Sequence, residues 1–151
     1  SIIDGNVDTD KFIQFIKISQ EIHLQNYLGS KLYDKISADI VAGTLAGDYL
    51  ALVTDYLQPM LIHYAMMDYL PFAAYQVKNG GVFKHSSENA ETVSKDEIDF
   101  LSQKQRDFAE YYTRRFIDYI CFNSTKFPEY NNNTETDIYP DKDTNSSNWV
   151  L

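Results

Sequence analysis

Apolar positions recur at helical spacing along most of the chain, in four blocks separated by glycines or polar stretches. From about Asp8 to Leu28, the residues Phe12, Ile13, Ile16, Ser19, Ile22 and Leu24 approximate one helical face. Asp8 or Thr9 would cap this helix, and Asp10 would favour the positive end of its dipole. Gly29 is expected to stop it as a left-handed C-cap, with Ser30 opening a second, short helix to about Val41. Leu32, Tyr33, Ile36 and Ile40 give that helix its stripe, and Gly43 and Gly47 bracket a small loop.

The third block, from about Asp48 to Val77, is apolar on several sides: Tyr49, Leu50, Val53, Tyr56, Leu57, Met60, Leu61, Tyr64, Met67 and Leu70 follow helical spacing. Such a helix belongs at the centre of a bundle. Pro59 and Pro71 each remove a backbone donor, which predicts a kink or break at those points. Gly80-Gly81 signals a turn, Val82 to His85 alternates as a short strand would, and residues 86–93 are loop-like. The last helix opens on the capping box Ser94-Lys95-Asp96-Glu97 and runs to about Phe122. Its expected buried stripe is Ile98, Leu101, Gln105, Phe108, Tyr112, Arg115 and Tyr119, widened by Phe116 and Ile120.

From Asn123 onward the pattern disappears. The last 29 residues carry five acids against two lysines, and Phe127, Tyr130, Ile138, Tyr139, Trp149, Val150 and Leu151 punctuate polar filler. Apolar anchors spaced in a polar segment suit a tail that docks in extended form on something else. The expected fold is mainly α: a small bundle of about four helices over residues 1–122, a short β-hairpin or arm at about 78–93, and an extended tail over 123–151.

A chain of 151 residues is one domain on size grounds and long enough to bury a core without metal or disulfide help. Its formal charge of −9 argues against an autonomous nucleic-acid binder, which needs a basic face. One cysteine excludes an internal disulfide framework and a four-cysteine zinc site. The first fifteen residues carry Asp4, Asp8 and Asp10 and no basic-then-apolar leader, so the expected location is inside a cell or in a particle assembled there. The apolar run from Leu61 to Ala74 is interrupted by His63, Asp68 and Pro71, which argues against a membrane span.

No catalytic constellation emerges, and neither a cofactor nor a metal is expected. His23, His63 and His85 lack ligand-spaced partners on their own helices, and Gly80-Gly81 lacks the context of a phosphate loop. Cys121, at an aromatic helix end, reads as a buried inert thiol, and Met60, Met66 and Met67 read as core filler. Arg114 and Arg115 have Glu110 and Asp118 on the same helix for pairing. What stands out is twelve Tyr and nine Phe, more aromatic surface than one small core readily satisfies. Tyrosine is favoured at protein interfaces, so a homo-oligomer is a natural expectation.

The stretch from Ile16 to Ile22, continued by Tyr27-Leu28-Gly29-Ser30-Lys31-Leu32-Tyr33-Asp34-Lys35-Ile36, resembles the opening helices of tailed-phage head–tail connector (adaptor) proteins. The variety in question occurs in phages of Bacteroides and related bacteria. The likeness continues through Tyr49-Leu50, Tyr56 to Leu61, Leu70-Pro71-Phe72, Asn79-Gly80-Gly81-Val82 and Phe127-Pro128-Glu129-Tyr130, covering about residues 12 to 130. It implies a non-enzymatic virion protein at the neck, assembled in the host cytoplasm as a ring, usually twelve-fold, beneath the portal protein. Such a ring extends the DNA channel, lets DNA pass without specific binding, and offers a platform to tail proteins.

On this resemblance Lys78, Asn79, Gly80, Gly81, Val82 and Phe83 are candidates for an arm reaching a neighbour, and Phe127, Pro128 and Tyr130 begin the tail that leaves the bundle. Trp149, Val150 and Leu151 are candidate anchors from their chemistry alone. The competing reading is a non-viral helical interaction module, monomeric or dimeric, that clasps a partner helix through its Tyr–Met face.

Overall fold

A computed structural model of the chain describes residues 2–79, 94–132 and 138–143. The elements are α1 (Ile2–Ser19), α2 (Gln25–Ala42), α3 (Gly47–Leu52), α4 (Gln58–Asn79), α5 (Lys95–Phe122) and the single turn α6 (Pro128–Asn131). Two π-helical turns, Gln20–Leu24 and Val53–Leu57, join α1 to α2 and α3 to α4 without ending the rods. Gly29, at φ 76° and ψ 155°, breaks α2 in two, so the described residues form four rods. No strand occurs among them, and the strand expected at 82–85 lies outside the described residues.

The four-block reading therefore holds, with corrections at the joints. The first helix starts at Ile2, so Asp8 and Thr9 lie within it and do not cap it. Gly29 does part the first two helices, but not as a left-handed C-cap: with ψ at 155° it occupies a backbone region that is open essentially to glycine alone. Gly43, at φ 71°, ends the second helix as a left-handed cap, its N–H directed at the carbonyls of Asp39 and Ile40. Neither proline ends a rod. Pro59 follows the second π turn, in which Gln58 N–H reaches back five residues to the Val53 carbonyl. Widening the turn there relieves the clash between a proline ring and the carbonyl four residues earlier.

Pro71 stands inside α4 and leaves the Met67 carbonyl without its helical donor. The Ser102 hydroxyl on α5 fills that role at 2.7 Å.

The longest contact is α4 against α5, with α1 laid along α4. The core takes Leu24, Leu28, Leu32 and Ile36 from the first two rods, and Leu52, Leu57, Met60 and Tyr64 from the third. Ala109, Phe116, Ile117 and Ile120 enter from α5. Phe127 and Tyr130 complete it, so the packed bundle continues past Phe122. No single helix among the described residues is long and apolar enough to cross a membrane.

Candidate interaction surfaces

Helix α5 carries two stripes. Its buried residues are Ala109, Thr113, Phe116, Ile117 and Ile120. At 100° per residue, Phe100, Lys104, Phe108, Tyr111, Arg115 and Phe122 fall within a quarter-turn on the opposite side. The four aromatic residues among them are exposed, Phe122 at 92%. The expected stripe of Leu101, Gln105, Phe108, Tyr112, Arg115 and Tyr119 straddles these two faces: its periodicity averages a core stripe and a surface stripe. The surface stripe is organised by its cations. Lys104 Nζ lies 5.5 Å from the Phe100 ring centre, and the Arg115 guanidinium lies 5.9 Å from both Tyr56 and Tyr111. Aromatic residues with arginine on a helix face are the composition of interface cores.

Polar chemistry concentrates where α1 crosses α4. Ser19 Oγ and His23 Nε2 both approach Asp68 Oδ2, at 3.5 and 3.3 Å. The carboxylate stands between the hydroxyl and the imidazole, whereas nucleophilic catalysis needs the imidazole in the middle. The cluster therefore ties two helices together. His23 stacks on Tyr64 at 4.1 Å between ring centres. Beneath it runs a file of hydroxyls. Thr113 donates to the Ala109 carbonyl at 2.7 Å, so Tyr64 must donate to Thr113 at 2.9 Å. The Tyr27 ring stacks on Tyr64 at 6.3 Å between ring centres. Burial pushes the pKa of both tyrosines up, more strongly than any charge nearby. Among the described residues no group of three or more His, Cys, Asp or Glu side chains could hold a metal ion.

The tail returns to its own bundle. In an unbroken helix Ser30 N–H would bond to the Asn26 carbonyl; Gly29 opens that bond, and the tail takes both ends. Ser30 N–H donates to the Ile138 carbonyl at 3.0 Å, and Asp141 N–H donates to the Asn26 carbonyl at 2.9 Å. Asn26 Nδ2 also reaches Asp141 Oδ2 at 3.3 Å. Pro140 lies buried between the two contacts and has no N–H to satisfy.

Several expected site residues thus lie elsewhere than a free tail or arm. Phe127 is fully buried, edge-on to Tyr49 at 5.2 Å, and Tyr130 is edge-on to Phe116 at 6.1 Å. Pro128 is exposed at the first position of α6, where its missing N–H costs nothing. Tyr49 OH locks this segment by donating to Glu129, 2.6 and 2.9 Å from its two oxygens. Lys78 and Asn79 lie in the last turn of α4. Gly80, Gly81, Val82, Phe83, Trp149, Val150 and Leu151 lie outside the described residues. Cys121 is exposed, because its helical position faces away from the core stripe.

Sequence reasoning missed Ser19, His23 and Asp68 as a group, since Asp68 comes from a different rod than the other two. It also missed a groove of about 340 Å³ between α2 and the α3–α4 rod. Its lining is mostly apolar and includes Leu28, Tyr33, Ile36, Ile40, Val53 and Leu61. Ile40 and Val41 form an exposed rim.

No curated protein and no solved structure matches the chain. Residues 24–140 match the model of DUF6712, a family of unknown function, a span that runs from the end of the first π turn to the buried Pro140 of the returning tail. The chain belongs to the DUF6712 family.

Proposed function

We propose that the chain is a structural subunit of a head–tail connector ring in a tailed phage, placed beneath the portal, extending the DNA channel and offering a platform to tail proteins. The observation that carries this reading is the double-striped α5. A monomer has no use for a row of Phe100, Phe108, Tyr111 and Phe122 opposite a filled core, and large exposed apolar patches mark protein-binding sites. In a ring each subunit presents two different faces to its neighbours, which suits a bundle with an apolar stripe outside its core. The charge of −9 suits a channel wall along which DNA must slide.

The resemblance over residues 12–130 supplies the phage context, twelve-fold rings and the virion neck as location. The competing module would clasp its partner through a Tyr–Met face, but Met60 and Tyr64 are core residues. Native mass measurement with and without the portal protein of the same phage tests the reading. Higher-order rings are expected, and a chain that stays monomeric and binds no portal overturns it.

A further inference from the structure

We propose that the groove between α2 and the α3–α4 rod is the docking site for this chain's own Trp149-Val150-Leu151. This reassigns the triplet from an anchor on a partner to a clasp on its own bundle.

Three observations carry the inference. First, the described tail is already bound in cis: Ile138 and Asp141 bridge the break at Gly29 through Ser30 and Asn26. Second, Leu24 and Leu28, two residues to either side of Asn26, both line the groove. Asn26, where Asp141 is bound, therefore lies on the far side of the same helix. The path half-way round a helix about 10 Å across is roughly 16 Å. Six residues from Asp143 to Trp149 extend to about 20 Å, which covers it. Third, the intervening Thr144-Asn145-Ser146-Ser147-Asn148 is polar and carries no charge that the acidic bundle would repel.

Tethering decides between this chain and a second copy. A short flexible linker holds its end at an effective concentration of about millimolar, far above the concentration of a neighbouring molecule in dilute solution. The occupant also fits the lining chemically. Tryptophan, valine and leucine match a mostly apolar wall, and the polar Gln20, Ser37 and Gln58 among the lining residues offer partners for an indole N–H.

Trp149 is the only tryptophan, so its fluorescence reports this site alone. In the intact chain its emission is expected to lie to the blue of the urea-unfolded protein, with acrylamide quenching several-fold weaker, both independent of protein concentration. Ile40→Glu should return emission and quenching to the unfolded values while the far-ultraviolet helix signal is unchanged. Val41→Glu, at a residue 89% exposed, repeats the test at a position that cannot threaten folding. Quenching as strong as in urea overturns the proposal. So does protection that grows with protein concentration, which assigns the groove to a second copy, or protection that survives both rim variants.

Discussion

The backbone N–H of Ser30 donates to the carbonyl of Ile138, a residue more than one hundred positions away, at 3.0 Å. The bond exists because Gly29, at φ 76° and ψ 155°, removes the Asn26 carbonyl from Ser30's reach, and Asp141 N–H in the tail then donates to that carbonyl. A helix break and a tail dock are thus one feature.

Gly29→Ala places a Cβ in a backbone region where side chains are strained, at a cost of about 1–3 kcal/mol. Urea unfolding should show that loss, together with faster amide exchange at Ser30. An unchanged unfolding midpoint would mean that the break is not held by the glycine.

Ser102→Ala removes the donor that replaces the missing N–H of Pro71 at the Met67 carbonyl, and should cost about 1 kcal/mol. In a Pro71→Ala background the helical N–H is restored, so the same serine substitution should cost measurably less. A double-mutant cycle by chemical denaturation reads this coupling, and strict additivity would refute the compensation.

Stability should fall at alkaline pH. The pKa values of Tyr27, Tyr49, Tyr64 and Tyr130 are all raised above the ordinary 10.0, first by burial. The unfolded chain therefore releases these protons before the folded one does. Their contribution is complete below pH 10 and is lost as pH rises past it. Thermal melts should be flat up to about pH 9 and decline beyond it, given an unperturbed tyrosine value near 10. Tyr64→Phe should make the decline shallower, and a decline as steep as in the parent would contradict this.

Much of the fold was legible because helix periodicity and caps are local. The capping box at Ser94 is realised, with the Glu97 N–H 3.1 Å from Ser94 Oγ. Gly29 and Gly43 divide the rods where their backbone freedom is needed. The phase of α5 was not legible, since two apolar stripes on one helix yield a single averaged direction. Nor was the fate of Phe127 and Tyr130: an aromatic after a helix end reads alike whether it leaves the bundle or closes it. The Ser19–His23–Asp68 cluster joins residues from different rods, and periodicity carries no information on which faces meet.

On the connector reading, the surface stripe of α5 should separate stability from assembly. Phe122→Ser and Phe100→Ser alter residues 92% and 60% exposed, so melting temperature should stay within the usual small effect of surface substitutions, about ±0.5 kcal/mol in stability. Binding to neighbouring subunits should be lost in both. If the variants melt and assemble like the parent, the stripe is not the contact.

The most direct test of the connector reading is an electron micrograph of the protein mixed with the portal protein of the same phage. The account predicts a closed ring of this chain, coaxial with the portal and open along its axis, which the Phe100→Ser and Phe122→Ser variants fail to form. Bare portals in the presence of excess folded protein would contradict it.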